Sequence, residues 1–321
     1  MKSHKNPKNE RHSMPESPTT HTFKTNPSDH RIRLAISTCP NDTFAFHAIL
    51  NQKIDFGGLD IEVELLDIQQ LNDGLFAGRF DFAKASFHAA ALLADQTVVL
   101  PSGSALGFGV GPLLLAAKQN TSPDQWPVSA TDPSKTPAVT LCPGLHTTAN
   151  MLFQMFYHEA IQQRQSIVKH ALFSEIMPAL QTEAADFGVC IHEGRFTWEQ
   201  QGLAKVTDLG ERWEQRTKCP LPLGGILARR DQPRETISAI QQLVRQSIEY
   251  GLANREETLT TMREYAQELD DAVLFGHVDL YVNQWTVDLG AEGQTALTKL
   301  SQLAKECGLV GSHLPNLQVW R

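Results

Sequence analysis

Residues 31–37 (RIRLAIS) alternate charged and apolar positions, the period-two pattern of a half-buried strand. The stretch 61–66 (IEVELL) alternates in the same way. Further strands are expected at 80–86, 97–100, 113–117, 138–142, 166–172, 187–192, 205–209 and 226–228. Between them, helices are expected at 44–50, 69–77, 89–94, from the turn at 143–150 to about 160, and at 175–181. Beyond residue 230 the period changes. Ile237, Ile240, Leu243, Val244, Ile248 and Leu252 recur at helical spacing, so 234–252 is a helix. Helices at 255–266, 270–281 and 292–307 follow.

Strands alternating with helices predict an α/β protein with mostly parallel sheets. Two such runs are separated by a glycine-rich stretch, 102–112, and by a Pro/Ser/Thr/Asp-rich insertion, 119–137. The glycine-rich stretch precedes a strand rather than joining a strand to a helix, so it reads as a crossover or hinge and not as a dinucleotide fingerprint. The expected architecture is a two-lobed, periplasmic-binding-protein-like (type II) fold with a ligand cleft between the lobes. Residues 31–112 and 220–321 would form the first lobe with its C-terminal helices, and 113–219 the second. Residues 1–30 are nearly free of aliphatic side chains and are expected to be a disordered tail.

Composition narrows the function. Net charge is −8, from 28 basic and 36 acidic residues. The tail carries five basic and three acidic residues, so the rest carries −10. Nucleic acid and anionic membranes are therefore poor partners. No apolar run reaches the ~20 residues that span a bilayer, so no membrane insertion is expected. The five cysteines, Cys39, Cys142, Cys190, Cys219 and Cys307, form no C-x-x-C pair. With no apolar leader either, a cytoplasmic location, reduced thiols and no metal site are expected.

Three segments bring polar groups to the carboxyl ends of expected strands, where open α/β sheets bind ligands. In the first, Ser37, Asn41 and Asp42 surround a turn that suits an anion or supplies a helix cap. In the second, His146, Thr147, Thr148 and Ala149 open a helix after Gly144. A cradle for a carboxylate and ordinary capping both fit, and His146 fits a surface position as well as a ligand contact. In the third, His192 ends a hydrophobic strand. It is either structural or a general base.

The stretches STCPNDTFAFHAIL (37–50), KASFHA (84–89), GSALGFGVGPLL (103–114), PGLHTTAN (143–150), IHEGRFTW (191–198), DLGERWEQRTKCPLPLGGILARR (208–230) and HVDLYVNQWTVDLGAEG (277–293) resemble the 1,4-dihydroxy-6-naphthoate synthase family of the futalosine route to menaquinone. The resemblance runs over about 31–309. Thr38 departs from it, standing where the family usually has Pro, and the tail and the 119–137 insertion look added. The resemblance implies a lyase that converts cyclic dehypoxanthinylfutalosine, a small carboxylate, to 1,4-dihydroxy-6-naphthoate and dihydroxyacetone, with no cofactor. It implies His192 as proton acceptor, and Lys84, Ala85, Ser86, Thr148 and Ala149 as substrate contacts. Two rivals share the fold: the chorismate dehydratases of the same route, which lack the I-H-E-x-R-F-T element, and non-catalytic solute-binding proteins.

Overall fold

The computed structural model describes residues 19–23, 31–117, 137–191, 194–266 and 270–321. The strands run in chain order as β1 (Thr19–Phe23), β2 (Ile32–Ser37), β3 (Ile61–Leu66), β4 (Phe82–Ser86), β5 (Thr97–Val99), β6 (Ala105–Gly107), β7 (Leu113–Ala116), β8 (Ala138–Pro143), β9 (Ser166–Ala171), β10 (Phe187–Cys190), β11 (Ala204–Asp208) and β12 (Leu221–Arg229). Among the described residues they build two sheets, one ordered β1-β3-β2-β4-β12-β5 with β6 beside β12, the other β11-β7-β10-β8-β9. The chain thus completes six strands of one sheet, makes the whole of the other, and returns through β12.

The centre of each sheet is parallel: β2 with β3 and β4, and β8 with β9 and β10. The returning strands are antiparallel, β12 to β4 and β7 to β10. The period-two pattern of β2 and β4 has a direct use. Leu34, Ile36 and Phe82 pack with Ile237, Ile240, Val244 and Ile248 of the helix Arg234–Ala253. Ala35, Ala83 and Ala85 face the other way, into a core that also takes Leu114, Val189 and Trp213. Successive strand residues point to opposite faces, so a sheet covered on both sides needs apolar residues at both phases.

Three expectations change. The tail is not featureless, because Thr19–Phe23 pairs antiparallel with β3, Thr19 opposite Leu65 and Phe23 opposite Ile61. His21 Nε2 lies 2.7 Å from the Tyr265 hydroxyl. Average apolar content misses such a strand, because three β-branched threonines on a ready sheet edge need backbone pairing more than a core. The remainder of the 1–30 segment, like nearly all of the 119–137 insertion, lies outside the described residues.

Second, the helix expected at 44–50 starts earlier, as Pro40–Ala45 followed by His47–Leu50. Pro40 takes the first helical position, where its missing N–H costs nothing. Third, the strand expected at 226–228 begins earlier. β12 runs for nine residues through Pro222, Gly224 and Gly225, with a register shift between Pro222 and Gly224. The glycines are there for close approach. A Cβ on Gly224 would sit 2.6 Å from the Ala85 carbonyl oxygen, and one on Gly225 2.7 Å from Ser104 Oγ.

β1 can be tested apart from the rest of the tail. Deleting residues 1–18 should leave the melting temperature unchanged in a calorimetric scan. Deleting 1–23 should lower it by a few °C, the response to roughly 1 kcal/mol in a chain of this size. Equal melting temperatures for both truncations would show that β1 contributes nothing to stability.

Candidate functional site

A cavity of about 700 Å³, counting its open mouth, lies where the two sheets meet. Its walls come mostly from carboxyl ends of strands and the segments after them, with β12 contributing from its amino-terminal half. β2 contributes Ser37, and the start of the helix Pro40–Ala45 behind it Cys39, Asn41 and Asp42. β4 contributes Lys84 and Ser86, and β12 Leu223 and Gly224. From the other sheet come Thr147, Thr148 and Ala149 after β8, and Ile191 just past β10.

Lys84 and Asp42 form a buried ion pair on this wall. Lys84 Nζ donates to Asp42 Oδ1 at 2.6 Å and to the Gly103 carbonyl at 3.0 Å. Asn41 Nδ2 donates to the same carboxylate oxygen at 3.0 Å. The capping alternative at Asn41 or Asp42 does not hold: Cys39 is the N-cap of Pro40–Ala45 and caps without its side chain. Its backbone N–H instead donates to Ser37 Oγ at 3.0 Å. Ser86 is fixed twice by Asn72 of the helix Ile68–Phe76. The Ser86 N–H donates to Asn72 Oδ1 at 3.1 Å, and Asn72 Nδ2 donates to Ser86 Oγ at 3.3 Å.

On the facing wall, Thr147 is the true cap of the helix Thr148–Phe156, its Oγ1 accepting from the Asn150 N–H at 3.2 Å. The Thr148 hydroxyl crosses between the sheets and donates to the Leu223 carbonyl at 2.6 Å. Capping and a ligand cradle are therefore compatible. The amides of Thr148 and Ala149 belong to a first helical turn, which has no intrahelical acceptors and carries the positive end of the helix dipole.

Of the residues expected at the site, Ser37, Asn41, Asp42, Lys84, Ser86, Thr147, Thr148 and Ala149 meet around this cavity. Ala85 does not, because it faces the opposite side of β4 from Lys84 and Ser86, into the core. His146 does not line it either: its ring packs 4.6 Å from Phe76 and 6.1 Å from His88. His192 lies outside the described residues. Among the lining residues that were not anticipated are His277 and Tyr281 of the helix Asp271–Tyr281. Their i, i+4 spacing on one helix was the available signal. Among the described residues, no group of three or more His, Cys, Asp or Glu is placed to hold a metal ion. No helix among them is long and apolar enough to cross a membrane.

Comparison with known proteins gives consistent results. Residues 32–306 match a family model described as menaquinone biosynthesis. A 1,4-dihydroxy-6-naphthoate synthase of Thermus thermophilus is 39% identical over 278 residues, covering 87% of this chain and 95% of that protein. The protein of the same name from Streptomyces coelicolor is 35% identical, covering 87% and 94%. A crystal structure of an Archaeoglobus fulgidus protein superposes with a TM-score of 0.77 at 30% identity, over 87% of this chain and 98% of that one. The periplasmic aliphatic sulphonate binding protein SsuA of Escherichia coli shares the fold, with a TM-score of 0.60 at 14% identity, over 91% and 94%. The type II binding-protein-like architecture is thus the fold of this chain.

His88, behind the cavity, gives the stability a predictable pH dependence. Burial, and secondarily the nearby His146, push its pKa down to about 4 from the usual 6.5, against opposing backbone contacts with Thr147 and Leu309. It is neutral in the folded protein at neutral pH, while the unfolded chain takes up a proton below about 6.5. Stability should therefore fall as pH drops from about 6.5 to 4, by about 3 kcal/mol from this group, and be unaffected by it above 6.5. Urea midpoints across this range should show the slope, and His88→Gln should flatten it. An equal slope in the variant would place its origin elsewhere.

Proposed function

Because the chain belongs to the menaquinone biosynthesis family, we propose that it is a 1,4-dihydroxy-6-naphthoate synthase, a carbon–carbon lyase. It converts cyclic dehypoxanthinylfutalosine to 1,4-dihydroxy-6-naphthoate and dihydroxyacetone. The observation that carries this reading is the pair of relatives so named, 39% and 35% identical and matched over 95% and 94% of their lengths. The cavity chemistry supports it. A ring carboxylate seats on the amides of Thr148 and Ala149, because the nearby cation, Lys84, is held by Asp42. Ser86 meets the substrate from the other wall. Five free thiols suit a cytoplasmic site of action.

His192 is the base. It follows Ile191, which lines the cavity. It takes the proton from a hydroxyl of the sugar remnant. The oxygen becomes a carbonyl, the adjacent carbon–carbon bond breaks, and the electron pair moves into the ring system, which becomes aromatic. Positioning and proton transfer suffice for such a step.

Turnover is tested with the purified protein and the cyclic substrate, reading naphthoate absorbance and released dihydroxyacetone. Wild-type protein should form both products. His192→Asn should lose about 10²–10⁴-fold in kcat, because an amide cannot take the proton. Tight substrate binding without products would favour a solute-binding role. Near-normal kcat in His192→Asn would move the base elsewhere.

A further inference from the structure

We infer that Asn72 is a positioning residue that makes the Ser86 hydroxyl a hydrogen-bond donor to a ring oxygen of the substrate. This role rests on the lyase reading above. Asn72 lies in the helix Ile68–Phe76 and is fully buried. Its partners settle which end of the amide is which. Oδ1 accepts from the Ser86 N–H at 3.1 Å, and a backbone N–H can only donate. Nδ2 therefore faces the other two partners, Ser86 Oγ at 3.3 Å and the His146 carbonyl at 3.5 Å. A carbonyl can only accept, so the same orientation follows from that end as well.

The consequence falls on Ser86. A hydroxyl both donates and accepts, and its proton rotates to suit the partner. Here an amide N–H approaches the oxygen, so the hydroxyl proton points away from Asn72. Ser86 is also the N-cap of the helix Phe87–Leu92, where a serine oxygen commonly accepts from the helix backbone, yet its side chain makes no cap bond. Instead it lines the cavity. A hydroxyl set in this way offers a proton to the cavity and suits a substrate oxygen that accepts, not a group that donates. With the ring carboxylate on the Thr148 and Ala149 amides of the facing wall, the oxygen-bearing ring is turned towards β4. One of its oxygens receives the electron pair when the carbon–carbon bond breaks. A donor already aimed at that oxygen stabilises the developing charge without reorganising. The same amide holds the His146 carbonyl, just before Thr147 and Thr148, so one side chain links the Ser86 donor to the carboxylate cradle across the cleft.

The test has two parts. The first uses two probes, 1,4-dihydroxy-6-naphthoate and 2-naphthoate, the same carboxylate-bearing skeleton without the ring hydroxyls. Ser86→Ala should weaken binding of the dihydroxy compound by about 3–100-fold, the loss of one hydrogen bond. Binding of 2-naphthoate should change by no more than about twofold. Equal losses for both probes overturn the inference. The second part is a double-mutant cycle in kcat/KM with the cyclic substrate. Asn72→Asp keeps the acceptor for the Ser86 N–H but turns a second acceptor on Ser86 Oγ, which draws the hydroxyl proton onto the new carboxylate. It should cost about 3–100-fold alone, and no more than about twofold further once Ser86→Ala is present. A merely structural Asn72 would add its loss in full, and additive losses overturn the role, as does an Asn72→Asp enzyme with the kcat/KM of wild type. If the carboxylate prevents folding, the uncharged Asn72→Ala repeats the cycle with the same outcomes deciding, and the two-probe comparison needs no Asn72 variant. Wild-type protein that yields no dihydroxyacetone removes the lyase reading and this role with it. Active wild type with additive losses removes the role alone.

Discussion

The buried contact between Lys84 and Asp42 is the constraint on which the site depends. It ties together three segments that are distant in sequence: the helix Pro40–Ala45 after β2, β4, and the Gly103 backbone. Two charges taken out of water gain little net stability, yet removing one partner costs roughly 3–5 kcal/mol, because the other is left buried and unmatched. The pair therefore fixes geometry more than it adds stability. It also leaves this wall close to neutral. Under the proposed function, the substrate carboxylate goes to the facing wall, where the amides at the start of Thr148–Phe156 are unpaired within their helix.

The two walls are held in register by contacts that cross between the sheets. The Thr148 hydroxyl reaches the Leu223 carbonyl of β12 at 2.6 Å. Near the first crossing, Gly111 packs so closely on Gly210 that a Cβ on Gly111 would fall 2.2 Å from the Gly210 Cα. Arg195 bridges the same region, donating to Asp208 at 2.6 Å and to the Gly111 carbonyl. A cleft between two sheets is a solution shared with solute-binding proteins such as SsuA, which keep the fold at 14% identity. A likeness at that identity carries the fold alone, because function resides in sites rather than folds.

Much of this was legible in the sequence where the signal is local. The alternation in IEVELL and the helical spacing of Ile237 to Ile248 give β3 and Arg234–Ala253 within a residue or two. Polar residues after apolar strands located both walls, because a strand end followed by a helix start is written in consecutive residues. Elements stabilised by distant partners were not legible. β1 exists because β3 has a free edge, and β12 runs through Pro222 and two glycines because β4 and Ser104 leave room only for glycine. Ala85 stands between Lys84 and Ser86, which line the cavity, but the pleat turns it to the core. His277 was quoted within a motif, yet only the tertiary packing of its helix brings it to the cavity.

The central proposal, that this cavity is where the naphthoate is made, is tested most directly by a crystal structure of the protein with 1,4-dihydroxy-6-naphthoate. The expected result places the ring between the sheets, its carboxylate within hydrogen-bonding distance of the Thr148 and Ala149 amides. A ligand seated outside the cavity, or one inside it with the carboxylate turned away from those amides, would contradict the proposal.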